Sequence, residues 1–214
     1  METVTIGRHA HDIELHDTFD FVNTCELQDG LPVDHFASLS DALDWFVDRG
    51  VIHLEGADRV RAVDESRPAI GEQDLERIRS VRTALRELTD AIVEGRLPDS
   101  AALATVNHAL HARQVIELVA GPDGWSVDHR HVGDPIDDAL ARLADPMVSE
   151  LADGHPDRIR VCANERCRWV FYDASRSGRR RWCDMTTCGN RAKAARHRAR
   201  ARTSGPATEV SGPA

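Results

Sequence analysis

Four cysteines within 27 residues constrain this chain more than any other feature. They are Cys162, Cys167, Cys183 and Cys188, two C-x4-C pairs separated by fifteen residues. Cysteines a few residues apart can wrap a turn around one edge of a metal tetrahedron. A second pair across a hairpin supplies the opposite edge, and zinc takes four thiolates in that arrangement at about 2.3 Å. All four positions are cysteine, which points to one closed, structural Zn2+. A catalytic ion usually keeps an open position. His197 is a substitute ligand by type, but it lies within a basic helix nine residues past Cys188. The fifth cysteine, Cys25, stands alone, and an odd count argues against a disulfide framework. It reads as a buried small hydrophobe.

The surrounding pattern predicts a small architecture of strand, knuckle, hairpin and helix. Arg160-Val-Cys leads in as a strand, and Arg168-Trp-Val-Phe-Tyr172 leads out as another. Ser175-Arg-Ser-Gly178 is a loop, and Cys188 falls where a helix should begin, near the favourable end of its dipole. This resembles a treble-clef zinc module. Trp169, Phe171, Tyr172 and Trp182 are candidates for a miniature core around the metal. Such a segment cannot fold by apolar burial alone, so its folding is coupled to the metal. Cys183→Ser is then expected to unfold this part while the preceding helices stay intact.

Net charge is −9, but its distribution is polar. Residues 157–202 carry fourteen basic and four acidic side chains, a balance of +10, which leaves −19 on the remainder. Arg179, Arg180 and Arg181 precede Cys183; Arg191, Lys193, Arg196, Arg198, Arg200 and Arg202 follow Cys188 in an Ala/Arg helix with almost no large apolar residue. A metal-pinned helix of this charge is a candidate binder of duplex DNA, since arginine suits both phosphate forks and guanine edges. Two other readings stay open. The module binds an acidic protein partner, including its own N-terminal domain at high effective concentration, or it binds RNA.

The N-terminal part reads as mainly helical. Ser38 or Ser40 caps a helix stopped by Gly50. A long amphipathic helix follows over 71–94, then another over 101–112. Gln114-Val-Ile-Glu-Leu-Val-Ala and Trp125-Ser-Val-Asp-His-Arg-His-Val flank Gly121-Pro-Asp-Gly124, a β-hairpin pattern. A last helix over 136–152 is expected to kink or divide at Pro146. Gly154-His-Pro156 reads as a short linker. The fold class is therefore α+β: an acidic, mainly helical domain over 1–153 with a β-hairpin, a zinc module over 157–202 and a disordered tail over 203–214.

Asp20, Asn23 and Thr24 interrupt an apolar stretch containing Phe19, Phe21 and Val22. Buried polar groups need partners. They satisfy a turn, which is the preferred reading, or they line a ligand pocket with Trp45 and make the domain a sensor of a small-molecule effector. The histidines form no ligand spacing. No phosphate loop, nucleophile elbow or dinucleotide fingerprint is present, so an enzyme is not expected. No apolar run approaches the roughly 20 residues of a membrane span. The start of the chain has no basic-then-apolar leader, so a cytoplasmic protein without membrane contact is expected.

Cys188-Gly-Asn-Arg191, preceded by the three other cysteines, resembles the CGNR zinc-finger family. Asp20-Phe-Val-Asn-Thr24 and Asp41-Ala-Leu-Asp-Trp-Phe-Val-Asp-Arg-Gly-Val-Ile52 are similar to the ABATE domain that accompanies it. The resemblance covers nearly the whole chain. It implies a bacterial, stress-induced transcription regulator with zinc on the four cysteines and DNA as the finger's partner. Within that frame the helical domain senses an effector or forms a homodimer. Gly189 and Asn190 read as support for the metal centre rather than as base readers.

Overall fold

The computed structural model describes residues 13–111, 114–121, 124–131 and 134–203; the tail expected to be disordered lies, beyond Thr203, outside them. Helix α1 (Leu15–Val22) opens with a reciprocal cap between Glu14 and Asp17 and buries Phe19, Phe21 and Val22. A hairpin follows, β1 (Cys25–Gln28) against antiparallel β2 (Leu31–Asp34). It turns at Asp29-Gly30, both with positive φ, which is what a two-residue hairpin loop demands. Helix α2 (Leu39–Asp48) is capped by Ser38 in a box with Asp41 and stops at Gly50, whose φ of 66° is left-handed.

Helix α3 (Leu54–Ser66) has only Gly56, Ala57 and Val60 buried, so its sequence lacks a strong apolar stripe. Helix α4 (Pro68–Glu94) starts three residues ahead of the expected 71, because Pro68 is pre-shaped for the first turn. Helix α5 (Ser100–Ala109) is capped by Asp99. Strands β3 (Gln114–Gly121) and β4 (Gly124–His131) form the expected hairpin in full register. Helix α6 (Pro135–Asp153) runs through Pro146 without being divided there. Leu143, Ala144 and Met147 around the proline are all buried. Tertiary packing on that face outweighs one lost backbone hydrogen bond.

The core gathers around α4. Ile78, Val81, Leu85 and Leu88 meet Ile136, Leu140, Leu143 and Met147 of α6 and the Phe21, Phe36 and Phe46 group. Each such side chain contributes about 1.5–3 kcal/mol when fully buried. Polar anchors fix the elements. Thr18 donates from α1 to the Leu143 carbonyl at 2.8 Å. Arg82, only 3% exposed, donates to both carboxylate oxygens of Asp34, at 2.8 and 2.5 Å, and to Thr24. Burial resists charge on Asp34, but the guanidinium and the Phe36 amide hold its carboxyl below the usual range.

A short 3-10 turn, Pro156–Arg158, leads straight into β5 (Ile159–Val161), which pairs antiparallel with β6 (Val170–Tyr172). The chain then runs through a π-turn, Met185–Gly189, into α7 (Asn190–Thr203). Ile159 and Val170 are 1% and 2% exposed and belong to the same core as α4 and α6. Directly after the 154–156 segment, then, the β5–β6 hairpin is packed on the helices. The whole is a mainly helical α+β fold carrying a small cysteine-rich module of strand, knuckle, hairpin and helix. Among the described residues, no helix is long and apolar enough to cross a membrane.

Candidate metal centre

Strand β5 delivers Cys162, the knuckle delivers Cys167, and the return loop and π-turn deliver Cys183 and Cys188. The amide of Cys162 donates to the Trp169 carbonyl at 2.8 Å, closing the knuckle. Inside it, the amides of Cys167 and Arg168 both donate to the Asn164 carbonyl, at 2.8 and 3.0 Å. The return loop is tied on by Ala163, whose amide donates to the Arg181 carbonyl at 2.8 Å. Asp184 caps the π-turn by accepting from the Thr187 amide and both threonine hydroxyls.

All four sulfurs lie within 4.8 Å of one another. Cys167 and Cys183 Sγ are 3.7 Å apart, and Cys183 and Cys188 Sγ 3.9 Å. Corners about 2.3 Å from the centre of a tetrahedron stand about 3.8 Å apart, so the sulfur cage fits zinc. Cys162 and Cys188 are buried, Cys167 and Cys183 half-buried. Burial first, then Cys162 and Cys188, push Cys167 up to about 11, and burial with Cys162 and Cys167 raises Cys183. Cys188 differs: burial opposes its ionisation, but hydrogen bonds led by that from Asn164 hold it below the usual thiol range. Four thiols so close ionise together only against a cation, and Zn2+ supplies that charge. No ligand position is left over, so the site is structural.

The supporting side chains differ in part from those expected. Asn164 Nδ2 donates to Cys188 Sγ at 3.4 Å, a role nothing local in the sequence marks. Asn190 holds the turn that carries Cys188, donating to the Thr186 carbonyl at 2.9 Å. Phe171 and Trp182 pack against the cysteines, whereas Tyr172 packs on the helical core and Trp169 is partly exposed. Removal of the thiolate hydrogen bond should weaken the metal without ejecting it. Asn164→Ala is expected to keep one zinc per chain and lower its affinity about tenfold in a chelator competition.

The basic residues divide by task. Arg180 sits 5.0 Å over the Phe171 ring and donates to the Trp182 and Cys183 carbonyls, so it braces the module itself. Arg179 and Arg181 are exposed, the latter 5.3 Å over the Trp182 ring. Arg191, Lys193, Arg196, Arg198 and Arg200 are exposed along α7; the side chain of Arg202 lies outside the description. Asp173 is fully buried. Burial opposes its charge, yet hydrogen bonds from Ser175 and the Arg180 amide hold its carboxyl low, and it orders the arginine loop.

The other four candidates part company. Asp20 pairs with Arg49 at 2.5 Å on the surface of α1. Trp45 stacks among Phe21, Phe36 and Phe46. Thr24 donates to the Phe21 carbonyl at 2.7 Å, closing the turn after α1. Asn23 does something else. Its amide donates to the Val170 carbonyl at 2.9 Å and accepts from the Val170 amide at 2.9 Å. It thereby mimics a strand partner on the free edge of β6 and fastens the module to the helices. Around this clamp Trp169 donates to Glu26 at 2.6 Å, Arg86 donates to the Arg168 carbonyl at 3.0 Å, and Arg168 pairs with Asp90 at 3.2 Å. Cys25 is exposed, not buried as expected, because it stands at the open end of the β1–β2 hairpin, paired with Asp34.

A helical domain clamped to a four-thiolate centre, with a basic helix at its foot, defines a zinc-finger protein. Family models agree segment by segment: residues 158–201 match the CGNR zinc finger, and residues 18–154 match ABATE, described as "Putative stress-induced transcription regulator". The chain belongs to the ABATE family and carries the CGNR zinc finger. No curated protein matches it in sequence.

Proposed function

We propose that this chain is a zinc-dependent DNA-binding transcriptional regulator, and not an enzyme. The observation that carries the reading is α7. It carries six basic and no acidic side chains in fourteen residues, and it grows directly out of the turn holding Cys188. Residues 193–200 are exposed throughout. A helix without an apolar face gains nothing from packing, and its like charges repel one another. Phosphates relieve that repulsion, and a major groove admits a helix of this kind. The acidic remainder of the chain is repelled by the same phosphates, which turns the finger towards the duplex. The family description supports a regulatory role under stress, and we place that role in a bacterial cytoplasm. In this account the helical domain senses an effector or brings two copies together.

One observation favours a second reading, a finger held by its own acidic domain. Arg166 donates to the Asp29 carbonyl at 3.1 and 3.0 Å, and Arg191 lies 4.0 Å from the Asp29 carboxylate. The triple variant Arg196→Gln, Arg198→Gln, Arg200→Gln separates the two. It should keep its zinc and its fold while the log–log salt slope of duplex binding falls by about 2–3. An unchanged slope would move the contact surface off α7.

A further inference from the structure

Beside the zinc knuckle, on the helical domain's side of the seam, lies a cleft of about 350 Å3. Its wall includes Asn23, Cys25, Arg86, Arg168, Trp169 and the zinc ligand Cys167, with mostly apolar surface between them. The volume is at the lower end of the range for small-molecule sites. Both carboxylates that line it are already engaged. Asp90 already accepts from both Arg86 and Arg168. Glu26 already accepts from Gln28, His35 and Trp169. Arg168 gives Asp90 one Nη, and its side chain is 41% exposed with donors to spare.

Among the described residues, Arg168 is also one of two non-glycine residues with positive φ, at 57°. The left-handed conformation costs a side-chain-bearing residue about 1–2 kcal/mol, and glycine would adopt it freely. The arginine held there donates to Asp90 and lines the cleft. We infer that this seam cleft is a binding site for a small carboxylic acid with an apolar body, the carboxylate on Arg168 and the body against Trp169. The inference deepens the effector-sensing part of the proposed function. Any such ligand touches the zinc knuckle and the helical domain at once, so occupancy reports directly to the finger.

The full-length, zinc-loaded protein tests this without DNA, so failure of the DNA reading leaves the result unaffected. Cys25 is the cysteine outside the metal centre, and it lines the cleft. A neutral methanethiosulfonate labels it: the thiolate forms the disulfide bond and methanesulfinate leaves. Benzoate and hexanoate serve as probes, with benzamide and hexanamide as neutral isosteres. Occupancy at about ten times the dissociation constant should slow labelling about tenfold by mass action. The expected result is protection by at least one carboxylate, weaker or no protection by its amide, and loss of the difference in Arg168→Gly. Glycine suits the left-handed position, so that variant should keep its zinc, which metal analysis checks. Equal effects of acid and amide, protection by neither acid, or undiminished protection in Arg168→Gly would each overturn the assignment.

Discussion

Replacing Cys183 with serine should abolish zinc binding and destabilise more than the finger. Three sulfurs leave the tetrahedron open, and the return loop that Cys183 carries loses its anchor beside Cys167 and Cys188. Metal binding free energy is folding free energy in such modules. The sequence alone suggests a self-contained loss. The structure argues otherwise, because β5 and β6 of the module bury Ile159 and Val170 in the main core. Loosening that hairpin exposes apolar surface of the helices as well. The expected outcome is zinc below detection, loss of amide-exchange protection over 162–189, and a fall of about 3 kcal/mol in global stability. A variant that loses zinc yet melts like the parent would show that the hairpin holds without its metal-bound half.

Asn23→Ala should weaken the same seam from the other side. Its side chain satisfies both the amide and the carbonyl of Val170, and the pair is buried. Each buried polar group left without a partner costs about 1–3 kcal/mol. The variant is expected to lose about 3 kcal/mol in all and about 10 °C in melting temperature for a protein of this size. Zinc content should remain at one per chain, since Asn23 touches no ligand. Calorimetry beside metal analysis checks both parts. A drop in zinc with unchanged melting would mean that the clamp serves the metal rather than the fold.

How much was legible in the sequence follows from the range of each interaction. The cysteine pairs, the Gly50 stop and the 114–131 hairpin are local patterns found where the sequence places them, and of the two serines offered as a cap Ser38 takes the role. The Asp29-Gly30 turn was equally local, but its strands are four residues each and carry no clean alternation. Helix α3 has too few buried residues to declare itself by periodicity. The role of Asn23 could not be read, because its partner lies 147 residues away. An asparagine in an apolar stretch indicates only that a partner exists. The exposure of Cys25 was misjudged for a related reason. Chemistry favours burying a free thiol, but its place in the hairpin decides.

We propose that zinc pins α7 for duplex DNA. The most direct test is a salt titration of the full chain on a mixed-sequence duplex, with and without a zinc chelator. Each neutralised phosphate adds about −0.9 to the log–log slope. The expected slope is equivalent to several phosphates, abolished by chelation and restored by added Zn2+. Binding that survives chelation, or no binding at low salt with zinc in place, would contradict it.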